Sequence, residues 1–459
     1  MQKFKLISLN IICIILLAYF TALAWQRVVA GTPYFDNDYK TFYVSLHANQ
    51  KIYQPHFYSH VLSMKRENKK ISLQTSPEFS AVNMNTPAMN FILRGLVNAN
   101  VNLSDDVLLW MILSLFGAGI SLYILQRQYF FPLLLTMWLS WPSLYDLKVG
   151  QVAFFVLPLL CVGFLLYQFK HWRIAAIVLG LLASLKLFFL IFILLFVARR
   201  QWNVMALFVA SFLVFFFLPL LYFPWNDYHA FFQLTQHYIL FIERSTLPMN
   251  GSLLGVMSNI SRLWHPTSSL LQIRLSATIL CLYLIIRWLI YDNNQLRYLP
   301  AFSDELRFSF LIVIALLCSP LGWEYYFLFL LIPIVVMIKI SQRYALIKIV
   351  YVFFALSLIL PYLGWMGGIG KTINIIQSFS VFAGLLCFLL CMCAVAKSVR
   401  LANLPTHNQS RILVGILVIF ALISTLLLLL NYGMPYFLDP TQKEYLHHVG
   451  AVMQISRHH

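Results

Sequence analysis

The sequence predicts an all-α polytopic membrane protein, with about 12–13 transmembrane helices and extracytoplasmic loops that carry interfacial helices. Three observations carry that expectation. Hydrophobic residues fill 61% of the 459 positions and charged residues 10%, whereas soluble domains hold roughly 45–50% apolar and about 25% charged residues. Apolar runs such as Phe4 to Trp25 and Arg411 to Leu430 reach the roughly 20 residues needed to cross a hydrocarbon core of about 30 Å. The lysines and arginines behind the formal charge of +17 sit in short connections between those runs, so the charge reports topology and argues against nucleic acid as a partner.

The first run follows Lys3 and Lys5 and has no clean small-x-small cleavage site after it, which reads as a retained first helix. Spans fall near residues 5–27, 107–125, 130–145, 152–169, 174–198, 203–222, 270–290, 308–320, 326–340, 346–364, 372–396 and 411–431. Basic turns lie at Arg127, at Lys170 with Arg173, at Arg199 with Arg200, at Arg287 with Arg297, at Lys339, Arg343 and Lys348, and at Lys397, Arg400 and Arg411. The run Ile174 to Ala198 decides the count, because it has basic pairs at both ends. A single crossing puts Arg199 and Arg200 outside. A turn near Lys186, giving two half-spans of about a dozen residues, keeps every basic cluster on the cytoplasmic side and is the preferred arrangement. Residues 1–431 then form a transmembrane domain with long extracytoplasmic loops at 28–105 and 223–268, and residues 432–459 form a short extracytoplasmic tail. All seven cysteines lie in apolar runs, which argues against disulfides. No His/Cys/acid cluster has metal-ligand spacing, so neither a metal nor a cofactor is expected.

Within the first long loop, Tyr39, Phe42, Tyr43 and Leu46 recur at the spacing of an amphipathic helix in the membrane interface. Asp36 and Asp38 flank its start. They either cap that helix, whose dipole favours a carboxylate there, or supply a general base that takes a proton from a hydroxyl. In NMNTPAMNFIL, residues 83–93, Pro87 reads as a first helical residue with Asn85 or Thr86 as its cap. Asn85 either caps that helix or binds a sugar hydroxyl. In YDLKVGQ, residues 145–151, Asp146 and Lys148 read as polarity in a hydrated turn, Gly150 permits close backbone approach, and Gln151 opens the next helix facing a buried contact. Lys186 is the sharpest single signal: a lysine in the middle of an apolar run is costly in lipid and marks a functional site, here the holding of a phosphate, unless it snorkels to the surface. In CSPLGWEYY, residues 318–326, Pro320 ends a short span and Glu324 is an acid at a membrane surface that needs water, a cation or a hydroxyl. Trp323, Tyr325 and Tyr326 have the composition of an interfacial aromatic belt.

Taken in order, DYKTFYVSLHANQKIYQP (38–55), NMNTPAMNFIL (83–93), GQVAFFVLPLL (150–160), GLLASLKLFFLIFILLFVARRQW (180–202), NGSLLGVM (250–257) and SPLGWEYYFLFLLIP (319–333) resemble the C-type glycosyltransferase superfamily, and within it glycosyltransferase family 87. The likeness runs from about residue 30 to 335. It implies a C-type glycosyltransferase fold and transfer of a hexose, mannose first, from a polyprenyl-phosphate-sugar donor to the hydroxyl of a glycolipid, glycan or protein acceptor. It further implies an inverting single displacement with Asp38 as base and Asp36 as second choice. Lys186 falls on the family's Leu-Lys pair and becomes the first candidate for the donor phosphate, with Arg94, His237 and Arg244 behind it. Lys148, Gln151, Asn85, Glu324, Tyr325 and Tyr326 complete the expected donor-binding set. Two departures stand out: Leu187 replaces the proline common after the Leu-Lys pair, and Tyr325 and Tyr326 stand where relatives often carry histidine. The expected address is the bacterial inner membrane, multi-pass, with the active site facing the extracytoplasmic side. Intramembrane Lys186 and broken spans also suit a transporter or lipid flippase, and a glycan ligase is a third reading; against the transporter, no inverted repeat is evident and the polarity gathers on one face.

Overall fold

The structure, a computed structural model, describes residues 85–96, 103–125, 150–244, 250–264, 270–294, 302–319 and 322–343, with scattered positions in 11–22, 53–57, 80–81, 130–147 and 382–396. The regular structure among the described residues is helical apart from a two-residue antiparallel ladder, β1 (His56–Phe57) against β2 (Ser80–Ala81), with His56 opposite Ala81, and an isolated bridge between Asn250 and Trp323. The interfacial helix expected at Tyr39–Leu46 lies outside them, as do Asp36 and Asp38.

Helix α1 (Pro87–Leu96) opens on proline, whose missing N–H is no loss in a first turn. Helix α2 (Leu103–Leu125) packs against α3 (Ala153–Gln168), and Gly117 makes that approach possible: a Cβ there would run into the Phe154 carbonyl. The α3 helix is apolar on nearly every side, which suits a helix enclosed by others; Phe154, Leu157, Leu160, Cys161, Phe164 and Tyr167 are all fully buried.

After α4 (Trp172–Leu185) the helix stops at Lys186, which is extended at φ −140° and ψ 107°. The chain resumes as a 3-10 segment, Leu187–Phe192, and then α5 (Ile193–Ala198). It doubles back. The guanidinium of Arg199 lies 4.9 Å above the ring of Trp172, the first residue of α4, and its Nε donates to the Tyr167 hydroxyl at 3.0 Å. The two arms agree in length, since fourteen α residues rise about 21 Å while six 3-10 and six α residues rise about 12 and 9 Å. Residues 174–198 therefore fold as a hairpin that turns at Lys186. Its ends use a common turn: Lys170 and Arg200 are both left-handed, at φ 65° and 54°, and each sits one residue before an N–H that closes on a carbonyl five back, His171 on Leu166 and Gln201 on Phe196.

The next helix, α6 (Trp202–Phe217), continues as a 3-10 segment through Leu221 and runs beside α4 in the same direction. Ser211 Oγ donates to the Ile177 carbonyl at 2.8 Å, and Gly180 lets the Phe208 carbonyl and the Ser211 side chain come within 2.7–2.8 Å of where a Cβ would stand. Residues 223–268 contain α7 (Trp225–Arg244) and α8 (Leu253–Trp264); α9 (Leu270–Asn294), α10 (Ser303–Cys318), a 3-10 segment (Glu324–Leu330) and α11 (Leu331–Arg343) follow.

Helix α10 is buried from Phe308 to Leu317 and starts at the end where Arg199 lies: Asp304 accepts from Arg199 and, at 3.2 Å, from Arg307, while Gln168 Nε2 donates to Glu305 at 2.9 Å. An aromatic column, Phe164, Phe308, Phe192, Phe189 and Phe329, with adjacent centroids 4.7–5.6 Å apart, links this charged end to the opposite one.

Among the described residues, the run Trp202–Leu221 is the one helix long and apolar enough to cross a membrane; the other apolar stretches are 10–17 residues long, two of them lying within the longer α2 and α9. The breaks at Lys186 and before Glu324 bound three of these stretches, Trp172–Leu185, Leu187–Ala198 and Tyr325–Met337. Their outward faces are apolar, with Val214, Leu221, Leu275, Ile279, Leu282 and Ile286 all exposed.

Gly180→Val forces a branched side chain into the α4–α6 contact and is expected to cost about 1–3 kcal/mol. Gly163→Ala meets side chains alone, those of Leu179 and Val178, and no backbone, and should cost less, a difference that thermal unfolding of the two purified variants in detergent measures.

Candidate functional site

At the end of the bundle opposite Arg199, four separate stretches of chain meet around Lys186. Because α4 ends there, the carbonyl of Leu185 loses its helical partner; the following N–H available, that of Phe189, bonds the Lys186 carbonyl at 3.1 Å instead. Thr86 Oγ1 fills the gap, donating to the Leu185 carbonyl at 3.1 Å. The same oxygen accepts the Met89 N–H at 3.2 Å, so Thr86 is the cap of α1.

With Thr86 capping, the Asn85 side chain is available elsewhere. Its Oδ1 accepts from Lys186 Nζ at 3.2 Å, and its main-chain carbonyl accepts the Tyr53 hydroxyl at 3.0 Å and Asn90 Nδ2 at 3.3 Å. Asn90 Nδ2 also donates to the Tyr53 hydroxyl at 2.8 Å. Asn85, Asn90 and Tyr53 are all buried. Burial pushes the Tyr53 phenol well above its ordinary value, with the Asn90 hydrogen bond opposing and the charge of Asp227 adding to the rise.

The third wall is the 3-10 segment after the break at Ser319. Lys186 Nζ stands 5.5 Å from the centroid of the Tyr326 ring, which is stacked on Phe329 and touches Phe188 at 5.0 Å. Tyr325 and Tyr326 are 6% and 5% exposed. This corrects the expectation of an aromatic belt: the segment packs into the core beside Phe188 and Phe329 rather than facing outward.

The segment is anchored from the fourth stretch. Asn250 Oδ1 accepts the N–H of Gly322 at 2.9 Å and of Ser252 at 3.1 Å, and the Gly251 N–H donates to the Gly322 carbonyl at 2.9 Å. Neither Gly255 nor Gly322 has room for a Cβ, the first because of Asn250 and the second because of Ser252.

Lys186 is only partly exposed, and no carboxylate pairs with it among the described residues. Asn85 occupies one of its three donors. What remains is a positive charge with hydrogen-bonding capacity, beside an aromatic face and a buried amide: chemistry suited to an anion such as a phosphate.

The other expected site residues are distributed differently. Arg94 lies at the far end of α1, about 12 Å along the axis from the cap, with its guanidinium 4.4 Å above the Tyr222 ring. Gln151 is buried, two residues before α3, where its N–H donates to the Asp146 carbonyl at 2.9 Å. Asp146 is itself fully buried and its Oδ1 accepts the Ala153 N–H at 3.3 Å, so it serves the start of α3 rather than a hydrated turn. For His237, Arg244 and Glu324 only the backbone is described, in α7 and at the start of the last 3-10 segment. Lys148, like Asp36 and Asp38, lies outside the described residues. Thr86, one of the two expected caps, is the one that caps α1; Tyr53 and Asn90 were not among the expected contacts, and only Asn90 lies close to Asn85 in the sequence.

Residues 97–320 match the family model described as glycosyltransferase family 87. No curated protein matches the chain. The matched segment contains Gln151, Lys186 and Asp227, while Asn85, Tyr325 and Tyr326 lie just beyond its two ends.

Thr86→Val keeps the shape but removes both the cap and the donor to Leu185. A loss of about 1–2 kcal/mol is expected, with Thr86→Ser close to the parent, as read by thermal unfolding in detergent.

Proposed function

We propose that this glycosyltransferase, whose residues 97–320 belong to glycosyltransferase family 87, is a multi-pass inner-membrane hexosyltransferase of the C-type fold acting on the extracytoplasmic side. Its donor is a sugar, mannose first, joined to a polyprenyl phosphate. The acceptor is a hydroxyl of a glycolipid, glycan or protein. The observation that carries this reading is the Lys186 ammonium, held by Asn85 and Tyr326 without a carboxylate partner among the described residues. The outward apolar faces of α6 and α9 support a lipid setting.

In the reaction, the acceptor oxygen attacks the anomeric carbon as the bond from that carbon to the phosphate oxygen breaks, which inverts the centre. The hydroxyl proton passes to Asp38. Polyprenyl phosphate leaves with an added negative charge, and the role of Lys186 is to meet that charge where it develops. One base suffices, because a phosphate leaves without strong acid assistance. Asn85 fixes the ammonium by its single hydrogen bond, and Tyr326 excludes water from one side of it.

In membranes supplied with labelled polyprenyl-phosphate-mannose, Asp38→Asn should lower kcat by about 10²–10⁴-fold, and Lys186→Met should lower kcat/KM by roughly 10–100-fold. Wild-type turnover by Asp38→Asn removes that residue as the base. Label moving across liposomes with no new glycosidic bond would favour a transporter instead. A cysteine placed beside Arg199 should resist an impermeant thiol reagent added from outside; labelling there overturns the assignment of sides.

A further inference from the structure

The polar group behind Lys186 leads to a second carboxylate. Tyr53, whose hydroxyl is bonded to Asn85, packs its ring 5.5 Å from Phe231 of α7. Asp227 stands one turn earlier on that helix, on the same face as Phe231. Its charge is felt at the Tyr53 phenol. The carboxylate belongs to the Lys186 end of the bundle, since α7 begins just after the 3-10 segment Leu218–Leu221 that packs against α1.

Asp227 is 6% exposed, and its Oδ2 has no hydrogen-bond partner among the described residues. Desolvation raises its carboxyl above the ordinary carboxylate value. A buried carboxylate oxygen without a donor is costly to keep. The hydroxyl donors nearby are already engaged: Tyr53 donates to the Asn85 carbonyl and Tyr228 to the Phe216 carbonyl at 2.8 Å. That oxygen is open to a donor on a bound ligand. Beside Asp227, Trp225 is exposed and presents a flat apolar face of the kind that packs on the C–H face of a pyranose, backed by the buried Tyr228 ring stacked 5.9 Å behind it.

We propose that Asp227 accepts hydrogen bonds from hydroxyl groups of the donor hexose whose lipid phosphate sits at Lys186. The inference rests on the function proposed above and adds a sugar-reading residue to it. A carboxylate accepts from two vicinal hydroxyls at once, so Asp227 selects the hexose while Lys186 holds the phosphate common to all such donors.

The test separates the sugar from the lipid. Binding of polyprenyl-phosphate-mannose and of bare polyprenyl phosphate is measured on the full-length protein in detergent, for the parent, Asp227→Asn, Asp227→Ala and Lys186→Met. Both Asp227 variants should bind the mannosylated lipid about tenfold or more weakly and the bare lipid as the parent does, whereas Lys186→Met should weaken both. Because each Asp227 variant removes an unsatisfied buried charge, its melting temperature without ligand should equal or exceed the parent's; a structural role would lower it. Unchanged binding of the mannosylated lipid, or equal loss for both lipids, overturns the role of Asp227 while leaving the transferase reading intact. A parent protein that binds neither lipid overturns both.

Discussion

One unsatisfied backbone carbonyl organises the polar end of this bundle. A helix that stops inside an apolar core leaves its last carbonyls without partners, and the interior offers no water to replace them. At Leu185 the replacement is a side chain from a distant part of the sequence, the hydroxyl of Thr86. That one bond fixes where α1 begins relative to the hairpin. It thereby sets the Asn85 amide against the Lys186 ammonium. A lysine in an apolar run is tolerable here because the break that exposes it also creates the need that docks its partner.

The two ends of the bundle treat charge in opposite ways. Around Arg199, cations and carboxylates are matched: Asp304 takes both Arg199 and Arg307, and the Arg199 guanidinium lies between Tyr167 and Trp172. Around Lys186, charge is held by neutral partners. Compensated charge leaves little field to attract an anion. Charge held in place by amides and rings retains its field, which is what a site for an anion requires. The aromatic column between the two ends keeps the hairpin straight between them.

Much of this was legible in the sequence. The hairpin followed from basic pairs at both ends of residues 174–198, and Lys186 from the cost of its charge in an apolar run. Pro87 announced the start of α1. What could not be read were facts of tertiary packing. Tyr325 and Tyr326 have the composition of belt residues, and only the placement of Phe188 and Phe329 turns them inward. Asp146 resembles a turn residue until α3 is seen to start on its carboxylate. Asp227 was the hardest to notice, because an acid in a first helical turn has a ready local explanation in the helix dipole; its burial and its neighbour Tyr53 come from 174 residues away in the chain.

The amide of Asn250 is shared by two loops that are 72 residues apart. Its one oxygen serves Ser252 and Gly322 together, and the glycines at 255 and 322 leave no slack on either side. Such a joint fixes the length of both connections. Elsewhere on the surface an inserted residue bulges into solvent with small effect, but here it would pull Gly322 from its acceptor and shift Tyr326 away from the ammonium. Variation among descendants of this chain is thus steered toward substitutions in these two connections and away from insertions.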